Sequence, residues 1–172
     1  LLFLDSDDVF ADEGILKKII SYSSITDADF YNFSVSFLEN GNELKCIRVP
    51  NYTLVCGNKI LRNALRGIHV HTIPWNKLYK RSFLIDNSIY FPNLKEQEDM
   101  VFALECSMMA KEVSFKNETI VHSTVRSNSL SRSMTSNNVK CCLDVFIAIK
   151  NLLTREGIYD LHKREYGYYL MR

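Results

Sequence analysis

Only three prolines and six glycines punctuate the 172 residues, which excludes Pro/Gly-rich linkers, collagen-like arrays and low-complexity tails. No internal repeat recurs at a fixed period. Five cysteines stand at 46, 56, 106, 141 and 142, with no C-x-x-C pair among them. That spacing suits neither a zinc knuckle nor a disulfide framework and reads as reduced thiols in a cytosolic compartment. Net charge is only +1, too small a field to argue for nucleic acid or acidic substrates. No apolar run approaches the roughly 20 residues that cross a bilayer. No basic segment followed by a cleavage site opens the chain, so no signal peptide is expected. What is present, 47% hydrophobic and 24% charged, is the composition of an ordinary globular domain long enough for one sizeable core.

The pattern along the chain is mixed. Leu1 to Leu4 is a continuous apolar run and reads as the end of a fully buried strand. Asp12 and Glu13 mark a helix start, with Ile15, Leu16, Ile19 and Ile20 on its apolar face. Residues 28–37 read as a strand from their aromatic and β-branched content, although Phe30, Asn32, Val35 and Phe37 do not alternate cleanly. Asn40-Gly41-Asn42 signals a turn, with 43–49 returning as the hairpin partner. Residues 57–66 suit a short helix ended by Gly67, and 68–73 read as β-like. Residues 75–84 combine a short strand with a helical turn, and 96–110 form a helix with Met100, Val101, Leu104, Met108 and Met109 on a broad apolar face. Two short strands, 113–116 and 119–122, flank Asn117-Glu118, and the tail from about 137 reads as two helices broken near Gly157. Strands alternating with helices, then helices alone, favour an α/β layered fold with a helical C-terminal extension. The chain starts within a strand and stops within a helix, so both ends read as cut.

The most informative stretch is the first, LLFLDSDDVF, in which an apolar run meets Asp5, Asp7 and Asp8. In open α/β sheets, ligands bind beyond the carboxyl ends of strands. Carboxylates at i and i+2 can reach one hard cation, which in turn can bridge phosphate oxygens. The bland alternative is a set of first-turn acids for the following helix, a role Asp12 and Glu13 fill better. Two chemistries place D-x-D after an apolar strand. A haloacid dehalogenase-like phosphatase would use Asp5 as nucleophile and Asp7 as general acid/base, and Asp5-Ser6-Asp7-Asp8-Val9 fits its D-x-D-x-[TV] signature. A nucleotide-sugar glycosyltransferase would use the pair to hold a metal on the diphosphate. A non-catalytic module is the third reading.

Later motifs separate these readings. WNKLYKRSFL over 75–84, IYFP over 89–92, EQEDMVF over 96–102 and RSNSLSRS over 126–133 follow LDSDD in order. Together they resemble family 2 glycosyltransferases of bacterial polysaccharide synthesis, with W-N-K-L-Y-[KR]-R, F-P, E-D-x-x-F and [RN]-x-x-S-[IL]-S. The resemblance covers nearly the whole chain. The phosphatase signature would also expect a small residue where Asp8 stands.

The resemblance implies a GT-A fold, a mixed sheet flanked by helices. Residues 1–135 would be the C-terminal part of the catalytic domain and 136–172 a helical extension. It implies a metal-dependent, inverting transfer of a sugar from a nucleotide-sugar to a glycan or lipid-linked acceptor in cell-surface polysaccharide synthesis. The donor would be a UDP-sugar, the cofactor Mn²⁺ or Mg²⁺, and the setting the cytoplasm or the inner face of the membrane. Asp5 would contact the donor and Asp7 ligate the metal, with Asp8 hydrogen-bonding locally or touching the substrate. Asp99 would be the catalytic base, with Glu98 second. Trp75 offers an aromatic face for a sugar ring, with a core anchor as the alternative. Asn76 and Lys77 would orient the acceptor or the E-D loop, and Arg126 and Ser129 would border the site.

Three histidine readings complete the set. His69 and His71 lie on one face of the expected short strand, a ligand pair lacking a third member. His122 ends a strand after the E-D helix, where some GT-A enzymes complete their metal site. His162 reads as surface. The family's first strand and its nucleotide-base loop do not precede Asp5, so the chain is expected to be inactive alone, with an exposed sheet edge and a tendency to aggregate.

Overall fold

The computed structural model describes residues 1–55, 57–125 and 136–171. In chain order the elements are β1 (Val9–Phe10), α1 (Ile15–Ser23), β2 (Phe30–Glu39), β3 (Asn42–Ile47), β4 (Tyr52–Val55), α2 (Gly57–Arg66), β5 (Lys77–Tyr79), α3 (Arg81–Asp86), α4 (Glu98–Met109), β6 (Glu112–Thr124), α5 (Ser136–Arg155) and α6 (Tyr159–Leu170). The centre of the sheet is the parallel pair β2 and β6, in register from Phe30↔Val113 to Leu38↔Thr124. Each central strand is flanked by two short antiparallel strands placed end to end. β5 and then β3 accompany β2, while β4 and then β1 accompany β6. The result is the mixed α/β architecture the motifs imply.

β2 shows why the sheet holds. Phe30 packs into the helix-covered core, whereas Tyr31, Phe33 and Val35 pack on the opposite side with α1. The intervening Asn32, Ser34 and Ser36 are also fully buried. The strand therefore alternates cleanly; sequence inspection missed this because both faces are buried and only one is apolar. The β2–β3 hairpin closes through Asn40 and Gly41 at φ 51° and 79°, a left-handed pair that lets two residues reverse the chain.

The larger core joins α2, α3, α4, α5 and α6 to one sheet face, and the smaller joins α1 to the other. Helices α5 and α6, separated at Gly157 with φ 67°, contribute Val145, Ile149, Leu153, Tyr166 and Tyr169 to the larger core. The described cysteines, 46, 106, 141 and 142, are free thiols.

Several expectations need correction. Leu1–Leu4 is not a buried strand: a single antiparallel bridge joins Leu2 to Leu78, and Leu1 and Leu4 are exposed. On α1 only Ile15 and Ile19 are buried, while Leu16 and Ile20 face outward, because the helix meets the sheet along a narrow stripe. Residues 68–73 form no strand; His69 sits at φ 62°, which breaks any extended run. The two short strands around Asn117-Glu118 are one, β6, whose register slips between Phe33↔Lys116 and Ser34↔Thr119. A bulge absorbs the extra residues without ending the strand.

Candidate active site

Two anchors carry the first acids across the sheet. Leu2 bridges Leu78 outside β5, while Val9 pairs with His122 of β6. Asp5–Asp8 lies between these anchors and passes from the β5 side to the β6 side. Asp8 pins it there: its buried Oδ1 accepts the Thr124 N–H at 3.3 Å, at the carboxyl end of β6, and its own N–H donates to the Asp5 carbonyl at 3.1 Å. Asp8 is thus a positioning residue. Burial raises its pKa, against hydrogen bonds from Ser123 and Thr124.

Glu98 and Asp99 occupy the first turn of α4, preceded by Gln97 at φ 61° in the left-handed region. A non-glycine residue held there stores on the order of 1 kcal/mol of strain, which the packing of α4 must offset. Asp99 Oδ1 accepts the Met100 N–H at 2.8 Å. The helix dipole favours ionised acids at this turn. Burial opposes it more strongly, and the charges of Glu98 and Asp5 add to that effect, so the Asp99 carboxyl is raised above the usual carboxylate range. Asp5 is raised as well, first by burial, then by Asp7 and by Glu98. Residues more than 90 positions apart are therefore electrostatic neighbours: Asp5, Asp7, Glu98 and Asp99 form one acid cluster.

An aromatic knot brings the two halves together. Phe3, two residues before Asp5, meets Phe91 edge-on at 5.3 Å and Phe102 at 5.6 Å. Phe91 stacks on Phe102 at 4.1 Å with 7° between planes. Phe102 lies three residues beyond Asp99 on α4, so this packing docks the segment before Asp5 against the helix of the E-D pair. Sequence reasoning quoted these phenylalanines only as motif letters; their bulk was the available signal.

The W-N-K segment is buried behind the site. Trp75 is 6% exposed and packs edge-on to Phe37, the core-anchor alternative and not an open sugar platform. Asn76 is fully buried, donating to the Phe33 carbonyl at 2.9 Å. Lys77 is fully buried too, with Nζ donating to the His71 and Ile73 carbonyls at 2.7 and 2.6 Å and to Asn76 Oδ1 at 2.7 Å. Burial lowers its pKa to about 7, against the favourable charge of Asp99. Neither Asn76 nor Lys77 is exposed to a substrate, so the direct acceptor contact expected of them gives way to fastening the 71–73 loop.

The histidines are also reassigned. His69 and His71 are not strand neighbours. His122 turns Nδ1 to the buried Ser36 hydroxyl. Among the described residues no group of three or more His, Cys, Asp or Glu side chains is gathered to hold a metal, so His122 does not complete one with Asp5 and Asp7. His162 is fully buried on α6, not surface, because α6 packs against α2 and the core. Arg126 and Ser129 lie outside the described residues.

The fold is a GT-A-like mixed α/β arrangement. In 87% of its length the chain superposes on S. aureus TarS (residues 1–349, crystallised with UDP-GlcNAc) with a TM-score of 0.63 and 22% identity, covering 42% of that chain. The TarS complex with UDP gives a TM-score of 0.57. In sequence, the chain is 27% identical over 173 aligned positions to the cholesterol galactosyltransferase of Borreliella burgdorferi, across 93% of this chain and 46% of that protein. It is 23% identical over 133 positions to the glycosyltransferase EpsH of Bacillus subtilis, across 76% of this chain and 38% of that protein. No protein-family model matches. The chain's relatives are glycosyltransferases, and it spans less than half the length of the curated relatives it matches.

Proposed function

We propose that this chain carries the catalytic acids of a metal-dependent, inverting glycosyltransferase. The enzyme would transfer a sugar from a UDP-sugar to a glycan or lipid-linked acceptor in cell-surface polysaccharide synthesis, at the cytoplasmic side of the membrane. The observation that carries this reading is the meeting of Asp5 and Asp7 with Glu98 and Asp99 in one cluster. The TarS complexes with UDP-GlcNAc and UDP support a uridine-diphosphate donor.

The donor set fits a metal held jointly with substrate better than a closed protein cage. Two neighbouring carboxylates are hard oxygen ligands, and Mg²⁺ is commonly bound by one or two of these plus substrate phosphates. Asp7 and Asp5 would hold the ion. When bound, it would offset charge on the leaving diphosphate. The remaining work falls to the protein. Asp8 fixes the acid loop to β6. Asp99 Oδ1 is engaged by the Met100 N–H, which would leave Oδ2 for the acceptor hydroxyl. As the acceptor oxygen bonds the anomeric carbon, its proton passes to Asp99 and the bond from that carbon to the diphosphate breaks. The raised pKa of Asp99 makes it a better base near neutral pH than an ordinary aspartate.

Calorimetric titration of UDP into the full-length protein with and without Mn²⁺, with Asp7→Ala alongside, tests the reading. Metal-dependent UDP binding that Asp7→Ala abolishes is expected. UDP binding indifferent to both the metal and Asp7 would remove its basis.

A further inference from the structure

A groove of about 450 Å³ runs between the Tyr90–Pro92 turn, α4 and α5. Tyr90 is 67% exposed and Phe91 41%, so two aromatic rings border it in the open. Its α4 wall is Val101 and Glu105; these lie three and seven residues beyond Glu98, on the same helix face. Glu98 to Glu105 spans about 10 Å of helix axis. At its other border Phe91 stacks on Phe102 and touches Phe3, the aromatic knot that seats Asp5. The groove thus shares α4 with the E-D pair and lies one to two turns along that helix from Glu98.

Its floor is mainly apolar, with Pro92, Val101, Ala148 and Leu152, and polar groups stand along one side. Asn151 and Arg155 of α5 line it opposite Tyr90, and Arg155 donates to Glu105 at 2.9 Å. Aromatic faces suit the C–H faces of pyranose rings, and a carboxamide with an accessible ion pair suits hydroxyls. A hydrocarbon chain laid there would desolvate the Arg155–Glu105 pair and the Asn151 amide without replacing their partners.

We propose that this groove is the subsite for the acceptor's saccharide, holding the sugar units behind the one that receives the transfer, with Tyr90 as stacking platform and Asn151 as hydroxyl ligand. The proposal rests on the glycosyltransferase reading and assigns its acceptor a glycan character at this position.

Saturation-transfer NMR on the full-length protein, with chitotriose, β-1,4-galactotriose and farnesyl phosphate as probes, tests it. Tyr90 is exposed, so Tyr90→Ala should fold normally, and Asn151→Ala is the second variant. At least one trisaccharide should receive saturation, falling five-fold or more in Tyr90→Ala and measurably in Asn151→Ala, while UDP affinity stays unchanged. Trisaccharide signal that is absent or indifferent to Tyr90, with UDP binding intact, overturns the groove alone. A Tyr90-dependent signal from farnesyl phosphate instead overturns its saccharide character. Failure of UDP to bind the wild type overturns the glycosyltransferase reading on which it stands.

Discussion

Two polar regions sit close together and are built on opposite terms. Behind the site, Asn32, Ser34, Ser36, Asn76 and Lys77 are fully buried, and the protein itself supplies most of their partners: His69 O for Asn32 Nδ2, Asn117 Oδ1 and the Val49 N–H for Ser34, and three oxygens for Lys77, with Asn32 Oδ1 alone of these left without a hydrogen bond among the described residues. In the acid cluster, Asp5, Glu98 and Asp99 make no ion pair among the described residues and repel one another. Buried polar groups that are satisfied internally fasten a structure. Carboxylates gathered against their own repulsion are relieved by an outside cation or proton, which is the ground on which a binding site is proposed.

The sharpest test separates activity from stability. Asp99→Asn should cut kcat by about 100- to 10,000-fold, the usual range for losing a general base. Its melting temperature, measured without metal, should change little, since the repulsion from Glu98 and Asp5 is lost together with the attraction to Lys77. A large fall in melting temperature would show Asp99 to be structural and erase the contrast. The same logic sets a pH dependence. Asp5 and Asp99 have raised carboxyls, so the folded state holds protons more tightly than the unfolded chain. Their contribution therefore favours the fold at acid pH and is lost as pH rises through the carboxylate range.

Lys77 should behave in the opposite way. Lys77→Met leaves two backbone carbonyls and Asn76 Oδ1 without their shared donor, and roughly 3 kcal/mol of stability should go with them. Denaturant unfolding would measure it, with residual activity falling only as far as the 71–73 loop shifts. Burial depresses the ammonium from 10.5 to about 7. Between those values the folded protein binds fewer protons than the unfolded chain. The burial penalty is thus complete below pH 7 and shrinks as pH rises, by at most about 1.4 kcal/mol per pH unit. Wild-type stability relative to Lys77→Met should grow between pH 7 and 9. A flat difference would mean the three oxygens keep the ammonium charged.

Much of this was legible in the sequence because it depends on local rules. The 3.6-residue periodicity of α4, the turn residues Asn40 and Gly41, and the i, i+2 spacing of Asp5 and Asp7 each need no tertiary information. Contacts between distant segments were not legible. That Lys77 points inward follows from the pairing of β5 with β2, Asn32 opposite Lys77, and no local pattern reports that pairing. Nor does spacing reveal that Phe3 and Phe102 meet, although this contact is what makes two acid motifs one site. The bulge in β6 hid a 13-residue strand behind two turn-forming residues, because tertiary pairing on both sides outweighs the local preference of Asn117 and Glu118.

The smallest predicted effect guards the comparison against a false rule. His162 is buried, and among the described residues neither ring nitrogen has a hydrogen-bond partner. If lack of an internal partner alone marked function, His162 would qualify. It differs from the acids in having no gathered like charges around it: burial lowers its pKa, with Glu165 opposing and Arg62 adding. The ring is therefore held neutral by its surroundings, and it sits on α6 beside α2, in the helical layer. His162→Leu should leave UDP binding and transfer unchanged and shift stability by less than about 1 kcal/mol, upward if the leucine packs as well as the imidazole. A loss of transfer at unchanged stability would show that the helical layer reaches the chemistry. The mark of function here would then be unsatisfied burial in general, and not charges assembled against their own repulsion.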